Sequence, residues 1–217
     1  MNKICYTIFS MCLLCLSFCS CTNNFTKEKT DDGSKNVGVQ KRTIHKPYVK
    51  IYCYGNVSNV KSELLTSELK KYYPRVELVS QHIGLPEKYY HQGRNRYSGS
   101  GLLKDLGRMK KGTVVLGVTD EVIYQKNKIS PTFGIFGIST VGSHVALISL
   151  TQPSGKKHKD DHLVKLMLHE LGHAFGLKHC SDEHCFMVNA EHRNKFSQTP
   201  SFCKHCKLFL NKKGWKL

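Results

Sequence analysis

The sequence predicts an α/β fold built on a mostly parallel sheet with helices packed against it. Two observations carry this expectation. Segments with the two-residue apolar period of strands alternate along the chain with segments of helical period, in the order β-α-β-α-β, and such alternation implies parallel strands joined by crossover helices. One strand segment, residues 113–118, is apolar at nearly every position, as a strand covered on both faces must be. A chain of 217 residues with a 40% hydrophobic share can bury one sound core and still leave room for a short appendage.

Each element has its own local signal. Residues 48–55 alternate apolar and polar side chains and are rich in aromatic and β-branched types, which marks a first strand. Ser58 then stands at a helix N-cap position. The helix behind it runs through Leu64, Leu65 and Leu69 to Tyr73, where Pro74 stops it. Val76, Leu78 and Val79 make residues 75–80 a second strand. A Gly- and Tyr-rich connection carrying Arg94, Arg96 and Tyr97 leads into a second helix over residues 100–110. The strand at 113–118 is bounded by Gly112 and by Thr119-Asp120, and residues 133–138 and 143–150 are two further strand candidates. The last predicted helix spans residues 160–175, with Leu163, Leu166, Met167 and Leu171 along its buried stripe. No internal repeat is present.

That last helix carries the most informative segment, residues 169–179, which read His-Glu-Leu-Gly-His-Ala-Phe-Gly-Leu-Lys-His. On a helix, His169 and His173 stand one turn apart on one face, so both imidazoles can reach a single metal ion. Glu170 sits beside the first of them as a candidate general base. Gly176 falls where a left-handed C-cap would end the helix and turn the chain, returning His179 as a third ligand. Three neutral nitrogens leave a fourth position for water, which is the arrangement of a catalytic rather than a structural zinc.

Four cysteines follow. Cys180, Cys185, Cys203 and Cys206, the last two as Cys-x-x-Cys, can close a four-thiolate zinc site, or they can pair as two disulfides if the chain is exported to an oxidising compartment. The whole segment reads His-Glu-x2-His-x2-Gly-x2-His-Cys-x4-Cys-x-Met-x15-Cys-x2-Cys. This pattern resembles the signature of the archaemetzincin family of zinc metallopeptidases. Weaker agreement upstream, through Arg94, Arg96, Tyr97 and Phe133-Gly134, extends the resemblance over residues 48–210.

The resemblance implies a metzincin-like three-layer α/β domain. Its mixed sheet is mostly parallel with one antiparallel edge strand, matched by residues 133–139, and it carries an active-site helix and a Cys-rich, zinc-binding C-terminal subdomain. It further implies that His169, His173 and His179 hold a catalytic zinc, that Glu170 is the base, and that Cys180, Cys185, Cys203 and Cys206 hold a structural one. Two zinc ions per chain follow. Met187 matches the methionine that metzincins place in a tight turn beneath the catalytic metal. The implied reaction is peptide-bond hydrolysis by a zinc-activated water, on a peptide or protein substrate that adds to the edge strand. The alternative is a non-catalytic, zinc-stabilised lipoprotein that recognises an anionic surface or polymer.

The amino terminus reads as an export signal. Lys3 precedes an almost uncharged apolar run, residues 4–21, and Phe18-Cys19-Ser20-Cys21 loosely resembles a bacterial lipobox. Cleavage after Ser20 leaves Cys21 as a lipidated first residue, so residues 1–20 are expected to be a signal peptide, 21–46 a polar flexible tether and 47–217 the folded domain. The protein is then a monomeric lipoprotein of the cell envelope, held at the membrane by its lipid. The alternatives are an uncleaved signal anchor and a cytoplasmic protein.

A formal net charge of +17 fits a polyanionic partner, but the Lys and Arg are spread along the chain and no recognition-helix pattern accompanies them. No specific nucleic acid is therefore expected. Cys53 is expected to be a small buried hydrophobe, and Arg94 and Arg96 to orient their loop or pack near the sheet, with contact to an acidic substrate as the alternative. His82, His91, His144, His158, His162, His184, His192 and His205 lack ligand spacing and are expected on the surface. Asn24 and Asn56 head formal glycosylation triplets that matter only in a eukaryotic secretory route.

Overall fold

The computed structural model describes residues 46–189 and 198–217. The signal segment, Cys21, Asn24, the tether up to residue 45, and His192 lie outside them. No helix among the described residues is long and apolar enough to cross a membrane.

The chain enters through β1 (Val49–Tyr54), whose Val49, Ile51 and Cys53 are fully buried. The helix α1 (Asn59–Tyr72) starts at Ser58, whose Oγ accepts the Lys61 N–H at 3.4 Å. β2 (Val76–Leu78) follows, and a long connection contains β3 (Tyr90–His91) and β4 (Arg96–Ser98). The helix α2 (Gly99–Met109) is capped by Ser98, whose Oγ accepts the Gly101 N–H at 3.2 Å. Next come β5 (Val114–Thr119), β6 (Ile123–Gln125), β7 (Phe133–Ile135), β8 (Gly137–Ser139) and β9 (Val145–Ser149). The chain ends with α3 (Asp160–Phe175) and α4 (Lys204–Lys212).

The principal sheet has the order β2-β1-β5-β9-β8. Its first four strands are parallel, and β8 runs antiparallel to β9, with Ile138 opposite Leu147. β5, at the centre, is buried at every position, as its unbroken apolar run requires. Its side chains divide the core. Val114, Leu116 and Val118 point to one face, where Leu65 and Leu69 of α1 and Leu163, Leu166, Met167 and Leu171 of α3 cover them. Val115 points to the other, with Leu102 and Leu106 of α2. Each fully buried Val or Leu in these layers contributes about 1.5–3 kcal/mol. The result is a three-layer domain, helices on both faces of a mixed sheet.

Two expectations need correction. Residues 133–138 do not form one strand: β7 pairs with β6, whereas β8 pairs with β9, and the chain changes sheet at Phe136, whose carbonyl accepts the Ser149 N–H at 2.9 Å. A second sheet of order β3-β4-β6-β7 went unread because strands of two or three residues are too short to show a period. The helix α4 was also missed, although Cys206 and Leu210, one turn apart, form its buried stripe. The aromatic cluster it helps close is centred on Trp215, whose ring lies 5.3 Å from Phe175, 5.9 Å from Tyr73 and 5.9 Å from Phe202.

His158 is the other departure, because it is buried (5% exposed) rather than on the surface. Its ring stands edge-on to Phe136 at 5.1 Å, and neither ring nitrogen has a hydrogen-bond partner. Burial, with His162 adding to it, pushes its pKa from 6.5 down to about 4. Between those values the unfolded chain takes up a proton that the folded chain refuses. Stability therefore rises with pH across this window and levels off above it, by about 3 kcal/mol for such a shift. His158→Phe, which keeps a ring in the pocket, is expected to flatten the acid limb of urea-unfolding stability by one titrating group. An unchanged slope would place the acid sensitivity elsewhere.

Candidate metal centre

The helix α3 owes its position to both of its ends. Asp160 and Asp161 occupy the first turn, where the helix dipole favours negative charge, and Asp160 pairs with Lys61 of α1. At the far end Gly176 adopts φ +114°, a left-handed conformation that costs a side-chain-bearing residue free energy but not glycine. The Gly176 N–H returns to the His173 carbonyl and the Leu177 N–H to Gly172, both at 2.9 Å, which closes the helix. From the turn between β8 and β9, the Gly142 N–H reaches the His173 carbonyl at 2.8 Å and the His144 N–H reaches Ala174 at 3.1 Å. Those bonds satisfy the helix's last carbonyls and pin the sheet edge to the helix that bears the histidines.

Three imidazoles converge there. The ligand nitrogens of His169, His173 and His179 all lie within 4.8 Å of one another, and His179 is the exposed member. The ring orientations are set from behind. The Nδ1–H of His169 donates to the Phe186 carbonyl at 2.6 Å, and that of His173 donates to the Leu177 carbonyl at 2.8 Å. A carbonyl only accepts, so both protons sit on Nδ1 and both Nε2 atoms present lone pairs. These two lone-pair nitrogens are 3.1 Å apart. Bare, they repel; a tetrahedral zinc at about 2.0–2.1 Å from each nitrogen requires edges of about 3.3–3.4 Å, close to this spacing. The residues fit the metal. Burial lowers the pKa of all three histidines, that of His169 to about 4, so each is neutral and ready to ligate at pH 7.

Glu170 stands beside the cluster without belonging to it. It is buried (7% exposed), and burial pushes its carboxyl up to about 8, while a nearby dication favours the ionised form. A Cβ at Gly137 would lie 2.8 Å from its Oε1, so glycine on β8 leaves the carboxylate its space. The cleft between β8 and α3, about 430 Å³, is lined by Glu170, the three histidines, Gly137 and Ser139, and also by Gln125 and Thr140. The last two carry no spacing signal in the sequence, since Gln125 ends β6 and Thr140 follows β8.

The cysteines form a second cluster. The four sulfurs of Cys180, Cys185, Cys203 and Cys206 lie within 4.8 Å of one another, and all four thiols are free. Cys180 and Cys203 are 3.7 Å apart, matching the sulfur–sulfur edge of about 3.8 Å in a tetrahedral site with Zn–S near 2.3 Å. The Sγ of Cys185 accepts the N–H groups of Met187 at 3.4 Å and Cys203 at 3.3 Å, as a thiolate does. Burial pushes the Cys185 thiol up to about 11, so a bound cation would be needed to make that sulfur anionic at neutral pH.

The turn Cys185–Val188 joins the two clusters. It contributes Cys185 to the thiols, the Phe186 carbonyl to His169, and Met187, whose Sδ would be 2.5 Å from a Cβ on Gly172 of α3. Arg96 is structural: its Nε donates to Arg94 O at 3.1 Å and its Nη1 to Thr132 O at 3.2 Å. His144, His184 and His205 are exposed, and neither cluster includes them.

The model of peptidase family M54 matches residues 49–212. Archaemetzincin from Methanopyrus kandleri is 31% identical over 150 residues, 66% of this chain and 82% of the relative. The one from Archaeoglobus fulgidus is 31% identical over 163 residues, 73% of this chain and 96% of the relative. Among solved structures, the M. kandleri archaemetzincin superposes with a TM-score of 0.63 at 25% identity, covering 78% of this chain and 97% of that one. The A. fulgidus archaemetzincin, crystallised with malonate, gives 0.61 at 28% identity, with 74% and 99% covered.

Proposed function

The chain belongs to peptidase family M54, the archaemetzincins, and is a zinc metallopeptidase; from that premise we propose that Glu170 is its general base and that it holds two zinc ions, one catalytic and one structural. The observation that carries the catalytic centre is the pair of lone-pair nitrogens on His169 and His173, held 3.1 Å apart by carbonyls behind each ring, with His179 closing the triad. Zinc bound there lowers the pKa of water toward neutrality and polarises a carbonyl. Glu170 takes the proton of the attacking water on its carboxylate and passes it to the leaving amine. The side of β8 left unpaired among the described residues accepts an extended peptide by backbone hydrogen bonds, which sets the scissile carbonyl over the histidines. The four cysteines hold the structural zinc and keep the Cys185–Val188 turn in place behind His169. The alternative, a non-catalytic lipoprotein that binds an anionic surface, gains nothing from membership of a peptidase family.

Metal analysis paired with a peptide-cleavage assay tests this reading. We expect two zinc ions of unequal affinity, cleavage that stops on chelation and returns with zinc, and loss of the weaker ion and of activity in His173→Ala. Cleavage that survives complete removal of metal would overturn it.

We also propose the cell envelope as its location, with lipid on Cys21. The apolar run of residues 4–21 and the polar stretch behind it support this. Metabolic labelling with a clickable fatty acid should mark the wild type and not Cys21→Ser, and equal labelling of both would remove the lipid anchor.

A further inference from the structure

Beside the catalytic cleft, on the α2 face of the sheet edge, lies a second groove of about 390 Å³. It shares Gln125, Ile138 and Thr140 with the cleft, so the two are continuous. Its floor is apolar, from Leu103, Ile138 and Val145, and its charged lining consists of Lys104 and Lys110. No Asp or Glu lines it. Asp105, the one acidic residue of α2, is held by Arg108 at 2.9 Å and by Lys88 at 3.7 Å, so its charge is already matched. The Lys110 Nζ donates to the Ser143 carbonyl at 3.3 Å, which places the ammonium at the groove's rim.

The geometry points to a role for this groove: we propose that it selects substrates carrying an acidic side chain close to the scissile bond, with Lys104 and Lys110 as specificity residues. This rests on the catalytic reading above. A peptide added to β8 turns successive side chains to opposite faces of the sheet. Gly137 faces Glu170 on the α3 side, and Ile138 packs on the α2 side, so neighbouring substrate residues face the metal centre and the basic groove in turn. The apolar floor suits the methylene stem of Glu or Asp, and the two ammonium groups suit its carboxylate. A second observation also calls for substrate: the Gln125 Oε1, at the junction of groove and cleft, is buried without a hydrogen-bond donor. A substrate amide N–H supplies that donor. The net charge of +17 favours the approach of acidic peptides to the protein as a whole.

The test uses zinc-loaded Glu170→Gln protein, in which binding is read without turnover. Labelled peptide pairs differing only by Glu for Gln, with the exchanged position walked across the scissile bond, are titrated by fluorescence anisotropy. At one position the Glu peptide should bind about tenfold tighter, the sum of two exposed ion pairs, and high salt should erase the difference. Lys104→Met/Lys110→Met should abolish the preference, and Lys104→Glu/Lys110→Glu should reverse it toward a Lys peptide. In the wild type the same position should dominate kcat/KM. Equal affinities at every position, or a preference that persists in the double Met variant, would overturn the proposal. If the charge variants fail to fold, the salt dependence in Glu170→Gln decides it alone. Failure of the wild type to cleave any peptide would instead overturn the catalytic reading, and appears in the activity arm rather than the binding arm.

Discussion

Glu170→Gln should retain zinc at His169, His173 and His179 and lose turnover by about a hundredfold to ten-thousandfold, the range that a positioned general base supplies. The substitution preserves shape and removes one property. A carboxamide fills the space beside Gly137 as the carboxylate does, but it cannot take a proton from water. Metal should stay because the carboxylate is no part of the imidazole cluster. A loss confined to kcat, with zinc content and melting temperature close to wild type, is the expected signature. Burial reinforces the point: a neutral side chain is easier to bury than a carboxylate, so the variant should be at least as stable as the parent. Cleavage at the wild-type rate would remove Glu170 from the mechanism.

The second large effect is expected at the cysteines. Cys206→Ser takes one thiol from a buried cluster and should release one zinc per chain, costing upwards of about 4 kcal/mol of stability. The damage should not stay local. The Phe186 carbonyl orients His169, and Phe186 lies between Cys185 of the thiol cluster and Met187 beneath α3. Loosening that turn should weaken the catalytic zinc by about ten- to a hundredfold, the usual cost of losing a partner that orients a ligand. Titrating zinc against a chromogenic chelator in wild type and variant measures both affinities at once. A variant that keeps two ions and an unchanged melting temperature would show that the thiols serve another purpose.

How much of this was readable beforehand varies by element. Both long helices with serine caps and α3 itself appear within a residue or two of their expected bounds, because a cap or a proline marks their ends and a 3.6-residue period marks their interiors. The antiparallel edge was foreseen only through family resemblance, and its span was overestimated, since residues 133–138 serve two sheets. The burial of His158 gave no warning, as nothing in its neighbours along the chain distinguishes it from an exposed histidine.

Local spacing by itself determined the convergence of the three histidines proposed to hold the metal. His169 and His173 one turn apart, Gly176 at the helix end and His179 just beyond it lie in one short stretch of sequence, so a helix and its C-cap bring them together. The tertiary structure decided what surrounds that metal. Gln125, Gly137 and the turn beneath α3 reach the cleft, and Lys104 and Lys110 the groove beside it, only when the sheet edge docks on the helix. That docking is a sum of many weak apolar contacts between distant segments, and no short window of sequence contains it.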